Sequence, residues 1–340
     1  MRPFIFETAS GPQHAIELFD KKDLTAARSA VYLAGGTTLL DLMKLDVMRP
    51  EIVIDINALQ HTPLGRIEAN ETELRLGALA RMAETAEHPT VKASYPVIAQ
   101  SLQLAASPQL RNMATLGGNV LQRTRCNYFR DVSNPVCNKR NPGTGCAALH
   151  GFNRRHAVLG GSDQCIATYP GDFAQALMAV DAIVELRGPK RVRTVAFATL
   201  HRQPGDTPHL ETTLLPGEMI TAFIVPTAPW MRRSLYLKVR DRQSYEFALA
   251  SAAVALDMNG AVVREARIAL GGVATVPWRS LAAETTLRDK PLDEVSANAA
   301  AEAAFAEAQP LEHNAFKIAL GKRTLVRALR EAAALEISHD

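Results

Sequence analysis

Four cysteines are the residues of this sequence with the clearest capacity for chemistry. Cys126, Cys137, Cys146 and Cys165 fall within one 45-residue stretch, and the rest of the 340-residue chain has no cysteine. The same stretch, 121–165, carries seven Lys or Arg residues against two Asp, an excess of +5 in a chain whose net charge is +3. Thiols and cations gathered in one segment indicate a metal centre or a set of disulfides.

The spacing of the cysteines favours some kinds of metal centre over others and over disulfides. Successive cysteines are separated by ten, eight and eighteen residues, so the closely spaced pair that is typical of zinc sites is absent. A chain long enough for an ample core has little need of disulfides. An iron–sulfur cluster accepts four cysteines from irregular loops, and nearby Arg and Lys would offset its negative charge. The residues alone therefore favour iron–sulfur over zinc, and zinc over disulfides.

Two glycine loops are the second candidate for chemistry. Residues 33–40 read LAGGTTLL between a predicted strand and a predicted helix, where backbone N–H groups could bind a phosphate. The spacing matches neither a Gly-x-Gly-x-x-Gly fingerprint nor a P-loop, so a plain turn is the alternative. Residues 115–119, TLGGN, form a similar loop. Together the two loops could flank a diphosphate.

Several isolated polar residues allow plainer interpretations. Asp172 suits a helix N-cap, and Lys238 a surface charge on an edge strand. His150 and His156 suit loop histidines on a basic surface, with ligation or hydrogen bonding to the cysteine site as the alternative. Only three aromatic residues interleave with the basic stretch, which argues against a nucleic-acid partner.

The elements that must position these residues follow an α/β pattern. With 47% hydrophobic and 21% charged residues, the composition is that of a globular protein and excludes a disordered chain. No apolar run reaches the length of a membrane span, and the N-terminus lacks the apolar core of a signal peptide. Residues 107–119 are predicted to be a loop. The main predicted strands are 31–34, 51–56, 74–79, 182–187, 218–226, 233–239 and 266–270, and the main predicted helices are 38–48, 96–106, 170–179, 292–307 and 322–335.

Together these features resemble the FAD-binding subunit of the molybdenum hydroxylases, the xanthine dehydrogenase and aldehyde oxidoreductase family. LAGGTTLL, RNMATLGGN, SYEFALA and RIALGGVA occur in the family's order, and the resemblance covers essentially the whole chain. Most members have a few residues between the second glycine loop and the following Asp, whereas here more than fifty intervene, including the cysteine stretch. This insertion is similar to the one that holds a [4Fe–4S] cluster in periplasmic aldehyde oxidoreductases. A related insertion occurs in 4-hydroxybenzoyl-CoA reductase.

The resemblance implies a two-subdomain α/β FAD-binding fold followed by a smaller α+β C-terminal domain. The implied units are 1–57, 58–215 with the [4Fe–4S] insertion at about 121–168, and 216–340. Asp172 would hydrogen-bond toward the ribityl or ribose region, and Lys238 would lie near the flavin. The implied cluster ligands are the four cysteines. The implied FAD contacts are Leu33, Ala34, Gly35, Gly36, Thr37, Thr38, Leu39, Thr115, Gly118, Asn119, Thr124, Asp172 and Lys238.

The resemblance also implies an oxidoreductase subunit that transfers electrons. Molybdenum would lie on a large partner subunit and two [2Fe–2S] centres on a small one, with FAD on this chain passing electrons to an external acceptor. No catalytic residue is assigned here. The alternatives are the medium subunit of a related hydroxylase such as 4-hydroxybenzoyl-CoA reductase, a self-contained flavin oxidase, and a zinc-stabilised binding module. Export beside a signal-bearing partner would place the chain in the periplasm, and the cytoplasm is the alternative.

Overall fold

Three β-sheets organise the chain in the computed structural model, which describes residues 1–20 and 29–337. The first sheet is parallel and small, with strand order β1-β3-β2. Its interior is apolar, with Leu18 and Ile54 among the buried residues. Its elements are β1 (Ile5–Thr8), α1 (Pro12–Asp20), β2 (Ala30–Leu33), α2 (Leu39–Lys44) and β3 (Ile52–Asp55).

The second sheet has five antiparallel strands. These are β4 (Ile67–Ala69), β5 (Glu73–Gly77), β6 (Ile183–Arg187), β7 (Val192–Ala196) and β8 (Met219–Pro226), in the order β4-β5-β8-β6-β7. Residues 216–226, which the sequence analysis placed in the third unit, thus contribute a strand to the second sheet. The helices of this part are α3 (Met82–Glu87), α4 (Pro89–Ser94), α5 (Pro96–Gln103), α6 (Pro108–Met113), α7 (Leu116–Val120), α8 (Asn127–Arg130) and α9 (Phe173–Ala179).

The third sheet is antiparallel and is covered by two long helices. Its order is β12-β11-β10-β9, with β13 paired to β11. Alanines at the buried positions of α11, α12 and β10 let these elements pack closely. The elements are β9 (Ser234–Val239), β10 (Ala250–Asn259), β11 (Val262–Gly271), β12 (Trp278–Arg279), α10 (Leu281–Leu287), β13 (Lys290–Pro291), α11 (Glu294–Ala304) and α12 (Phe316–Ala333). Short 3-10 turns occupy Asn57–His61, Pro63–Gly65, Phe197–Thr199 and Pro229–Arg232.

The α/β class and the main strands are confirmed, whereas several helix boundaries were wrong. Helix α2 ends at Lys44 rather than near residue 48, because Asp46 turns the chain with a φ of +59°. The predicted loop at 107–119 contains α6 and α7. Each of these helices begins with a side-chain cap, Ser107 accepting from the Leu110 amide and Thr115 from the Gly118 amide. The last helix begins at Phe316, six residues earlier than predicted.

None of the helices in the described ranges has the length and apolarity needed to cross a bilayer.

Candidate cofactor site

The two glycine loops line one cavity of about 190 Å³. A Cβ atom at Gly35 would overlap the carbonyl oxygen of Met113, so only glycine permits this approach. Gly36 adopts a φ of +71°, a conformation that also favours glycine. The predicted FAD contacts that line the cavity are Ala34, Gly35, Gly36, Thr37, Thr38, Leu39, Thr115 and Gly118. Leu33 precedes them as the last residue of β2.

Two residues that the sequence analysis missed hold the loops in place. Asn57 Nδ2 donates to the Ala34 carbonyl at 2.9 Å, which fixes the start of the first loop. Arg81 donates to the Met113 carbonyl and lies 3.4 Å from the Asn57 side-chain oxygen. The only signal in the sequence was a polar residue just after each of two predicted strands, too common a pattern to single them out.

Asn119 supplies a feature that fits a bound polar molecule. Its Oδ1 atom is buried and has no hydrogen-bond partner among the described residues. A buried acceptor without a partner is costly, so Asn119 could take a further donor, although it does not itself line the 190 Å³ cavity. The residues of the two loops therefore fit the FAD that their pattern implies.

Asp172 and Lys238 form a buried ion pair at 2.8 Å, with side chains 4% and 1% exposed. Asp172 also accepts from the Tyr236 hydroxyl at 2.6 Å, and Lys238 donates to the Leu104 carbonyl at 3.0 Å. Asp172 occupies the N-cap position of α9 as predicted, but its side chain makes no capping bond. Lys238 lies on an edge strand as predicted, but its side chain is buried, so its interpretation as a surface charge was wrong. Neither residue lines the 190 Å³ cavity.

The four cysteines, although spread over residues 126–165, converge in space. Cys137 and Cys146 face each other across an antiparallel bridge, and the thiols of Cys146 and Cys165 are hydrogen-bonded. Cys126 is close enough to Cys137 and Cys146 for their charges to raise its pKa. All four are free thiols, so the disulfide alternative is not realised in this structure.

Burial and hydrogen bonds both shift the pKa values of these thiols. Burial raises the pKa of Cys126 to about 12. The hydrogen bond from Cys165 lowers the pKa of Cys146 to about 6 and raises the pKa of Cys165. Backbone amides directed at the sulfurs favour the thiolate form at three of the cysteines. These amides belong to Tyr128, Phe129, Ala148, Leu149, Ile166 and Ala167.

The arrangement of the cysteine thiols helps to decide which kind of metal centre they could bind. Within residues 1–20 and 29–337, no group of three or more Cys, His, Asp or Glu side chains is arranged to hold a single metal ion. A zinc ion requires four donors within about 2.3 Å of one point. A [4Fe–4S] cluster takes its four thiolates at different irons, so its ligands lie further apart. Converging thiols with amides aimed at them are a donor set that such a cluster could use.

The positive charge of the insertion is balanced by carboxylates elsewhere in the chain. Asp41 on α2 pairs with Arg125 at 3.0 Å and Arg130 at 2.8 Å, and the Arg130 hydrogen bond lowers the pKa of that carboxyl. The cations therefore attach the cysteine insertion to the other units and do not form a free basic face. The remaining pairs are Arg123 and Lys139 with Glu211, Arg154 and Arg155 with Asp241, and Arg155 with Glu246.

Thr124 stands apart from the glycine-loop cavity. Its hydroxyl accepts from the Cys126 amide at 3.2 Å and donates to the Thr168 carbonyl at 3.0 Å. The side chain lines a second cavity, of about 140 Å³, together with Cys126, His156 and Phe247. The second cavity thus borders the cysteine site and the start of the third sheet.

The two histidines of the insertion have different environments. His150 is exposed, as expected of a loop histidine. His156 is 5% exposed and its Nε2 atom lies 3.1 Å from the sulfur of Cys126, so the surface interpretation of this residue was wrong.

Comparison with known proteins identifies the family. Residues 4–228 match the FAD binding domain in molybdopterin dehydrogenase, and residues 235–332 match the CO dehydrogenase flavoprotein C-terminal domain. The chain is 46% identical to the aldehyde oxidoreductase FAD-binding subunit PaoB of Escherichia coli (strain K12), over 98% of this chain and 99% of that protein. It is 29% identical to the carbon monoxide dehydrogenase medium chain of Hydrogenophaga pseudoflava, over 89% of each. A solved structure of carbon monoxide dehydrogenase from that organism superposes with a TM-score of 0.75 at 26% identity, over 98% of each chain. The predicted family is confirmed: the chain belongs to the FAD-binding medium subunits of the molybdenum hydroxylases, which are oxidoreductases.

Proposed function

We propose that the chain is the FAD- and [4Fe–4S]-binding electron-transfer subunit of a molybdenum-containing aldehyde oxidase or dehydrogenase. The observation that carries the proposal is the convergence of four free thiols, two buried and two half-buried, in an insertion that is ion-paired to the helix following the first glycine loop. The relative that is 46% identical is named an aldehyde oxidoreductase subunit, which supports the aldehyde substrate class.

The residues of this chain would bind FAD through groups that the fold already holds in position. Gly35 and Gly36 let the backbone approach the diphosphate, and Asn119 offers a buried acceptor to a hydroxyl. Asp172 and Lys238 would place a carboxylate and an ammonium group near the ribityl chain and the flavin, and their ion pair holds both groups in position. When bound, FAD supplies the redox chemistry, and the protein's task is to hold and tune it.

Cys126, Cys137, Cys146 and Cys165 would hold the cluster. The amides aimed at their sulfurs, and the charge of Lys139 acting on Cys165, would offset the negative charge of four thiolates on iron. Every cysteine of the sequence is used in this site, so two [2Fe–2S] centres would need ligands from a small partner subunit. Molybdenum would lie on a large partner subunit, and electrons would leave to an external acceptor. We place the complex in the periplasm by export with a signal-bearing partner, the cytoplasm being the alternative that cell fractionation would reveal.

The test is cofactor analysis of the complex, purified anaerobically with its partner subunits. We expect one flavin and about four irons on this chain, with a broad absorption shoulder beneath the flavin bands. Cys137→Ser should remove most of this iron and leave FAD bound, because the glycine loops lie outside the insertion. Asn141→Ala, in the same segment but at an exposed position, is the matched control and should keep its iron.

Three outcomes would contradict the proposal. Stoichiometric zinc without iron would favour the zinc-stabilised binding module. Turnover of a small substrate by the isolated chain would favour a self-contained flavin oxidase. Reduction of an aromatic acyl-CoA, with no oxidation of aldehydes, would place the chain with the 4-hydroxybenzoyl-CoA reductase type.

A further inference from the structure

His156 places a ring nitrogen against one of the four cysteines. Its Nε2 atom lies 3.1 Å from Sγ of Cys126, within the range of a hydrogen bond to sulfur. Among the side chains that the structure describes, it is the one whose nitrogen forms such a bond with a cysteine; the other hydrogen bonds from nitrogen to these sulfurs come from backbone amides. Neither the binding of FAD nor ligation of the cluster requires this residue.

The surroundings hold the imidazole in this position. The side chain is 5% exposed, and its backbone amide donates to the Asn153 carbonyl at 2.9 Å. Asn153 is itself buried, and its side chain bonds to the Ala148 carbonyl at 3.2 Å and the His313 amide at 3.0 Å. The Tyr128 ring lies 6.2 Å from the imidazole, between centroids. The loop that carries His156 is therefore tied to two other segments.

We propose that His156 donates a hydrogen bond from Nε2–H to Sγ of Cys126 and thereby raises the reduction potential of the cluster. The inference rests on the proposed function, because it requires Cys126 to ligate iron. A ligating cysteine has lost its proton, so its sulfur can only accept, and the hydrogen must come from the imidazole. Reduction adds negative charge that spreads onto the sulfurs. A donor to sulfur therefore stabilises the reduced cluster more than the oxidised one.

The effect expected of His156 differs from that of a packing residue. A residue that only fills space affects whether the cluster assembles. A donor to sulfur affects the potential of a cluster that is already assembled. His156→Leu removes the donor and keeps an apolar side chain, whereas His156→Gln retains an N–H group of similar reach.

The experiment is a redox titration of the iron–sulfur and flavin signals in the anaerobically purified complex. In His156→Leu we expect the insertion cluster to keep its iron and become about tenfold harder to reduce, which is about 59 mV for one electron. His156→Gln should lie closer to the wild type, and the flavin potential should not move. His150→Leu, at an exposed histidine of the same insertion, is the matched control.

The outcomes separate this proposal from the previous one. Absence of iron from the wild type would overturn the proposed function itself. A His156→Leu complex with full iron and the wild-type potential would overturn only the role of His156. If that variant fails to assemble a cluster, pulsed EPR of the reduced wild type decides the point. An exchangeable proton and a histidine nitrogen coupled to the cluster support the hydrogen bond, and their absence refutes it.

Discussion

At the scale of single residues, the absence of a side chain at Gly35 decides how closely the first glycine loop can approach the segment that leads into the second. Gly35 lies against the backbone of Met113, the residue that ends α6. A backbone atom cannot swing aside as the end of a flexible side chain can. The close contact beside the cavity therefore requires that residue 35 has a hydrogen atom as its side chain and not even the methyl group of alanine.

Gly35→Ala should reduce the affinity for FAD at least about tenfold, because the added Cβ must push the first loop away from the Met113 backbone and so change the cavity. The measurement is the flavin content of the purified complex after dialysis, together with the dissociation constant for FAD added back. Gly11→Ala is the matched control, since a Cβ there meets no atom within 4 Å. Equal flavin retention in the two variants would show that the approach of the loops does not matter.

At the scale of elements, the sequence was informative wherever a local pattern carries the structure. The strand–glycine–helix–strand pattern of residues 31–56 and both glycine loops follow from short-range rules. The burial of Lys238 does not follow from such short-range rules. It depends on the Leu104 carbonyl, which lies 134 residues away along the chain. The burial of His156 likewise depends on contacts within an insertion that lacks periodicity, so no local signal could separate it from His150.

The cysteine insertion has little regular structure, so side-chain hydrogen bonds must fix its shape. Asn138 is buried and follows Cys137 directly. Its Oδ1 accepts from the Gly145 amide at 2.8 Å, next to Cys146, and its Nδ2 donates to the Gln164 side chain at 2.8 Å, next to Cys165. One amide thus ties together the three chain segments that carry three of the four cysteines.

Asn138→Ala should lower the iron content of the chain to less than about half. The three cysteine segments lose the side chain that connects them, and the Gly145 amide and the Gln164 side-chain oxygen lose their hydrogen-bond partner. FAD should stay bound. Iron and flavin per chain, measured together, check both parts of this expectation. Asn134→Ala, at a partly exposed position of the same insertion whose side chain accepts a hydrogen bond from the Val136 amide, should retain its iron. Full iron in Asn138→Ala would mean that the cysteines are positioned without it.

At the scale of the whole molecule, the Asp172–Lys238 pair joins α9, beside the second sheet, to β9 of the third sheet. Removing one partner of a buried pair leaves an uncompensated charge and costs about 3–5 kcal/mol, whereas removing both can cost far less. Lys238→Met should therefore destabilise the protein strongly, and the added change Asp172→Asn should restore part of the loss. Arg327→Met is the control for an exposed pair, with side chains of Arg327 and Glu331 that are 65% and 43% exposed, and it should cost less than about 1 kcal/mol.

Denaturant unfolding of the four proteins, followed by circular dichroism and by flavin fluorescence, separates stability from cofactor binding. If the pair serves mainly to join the units, the double variant should recover stability without recovering FAD affinity, because the charges that the proposed function places near the flavin are gone. If it serves mainly the flavin, Lys238→Met should unfold like the Arg327→Met control and lose only FAD. A double variant less stable than Lys238→Met would contradict the buried-charge argument, since the remaining carboxylate would then not be the source of the loss.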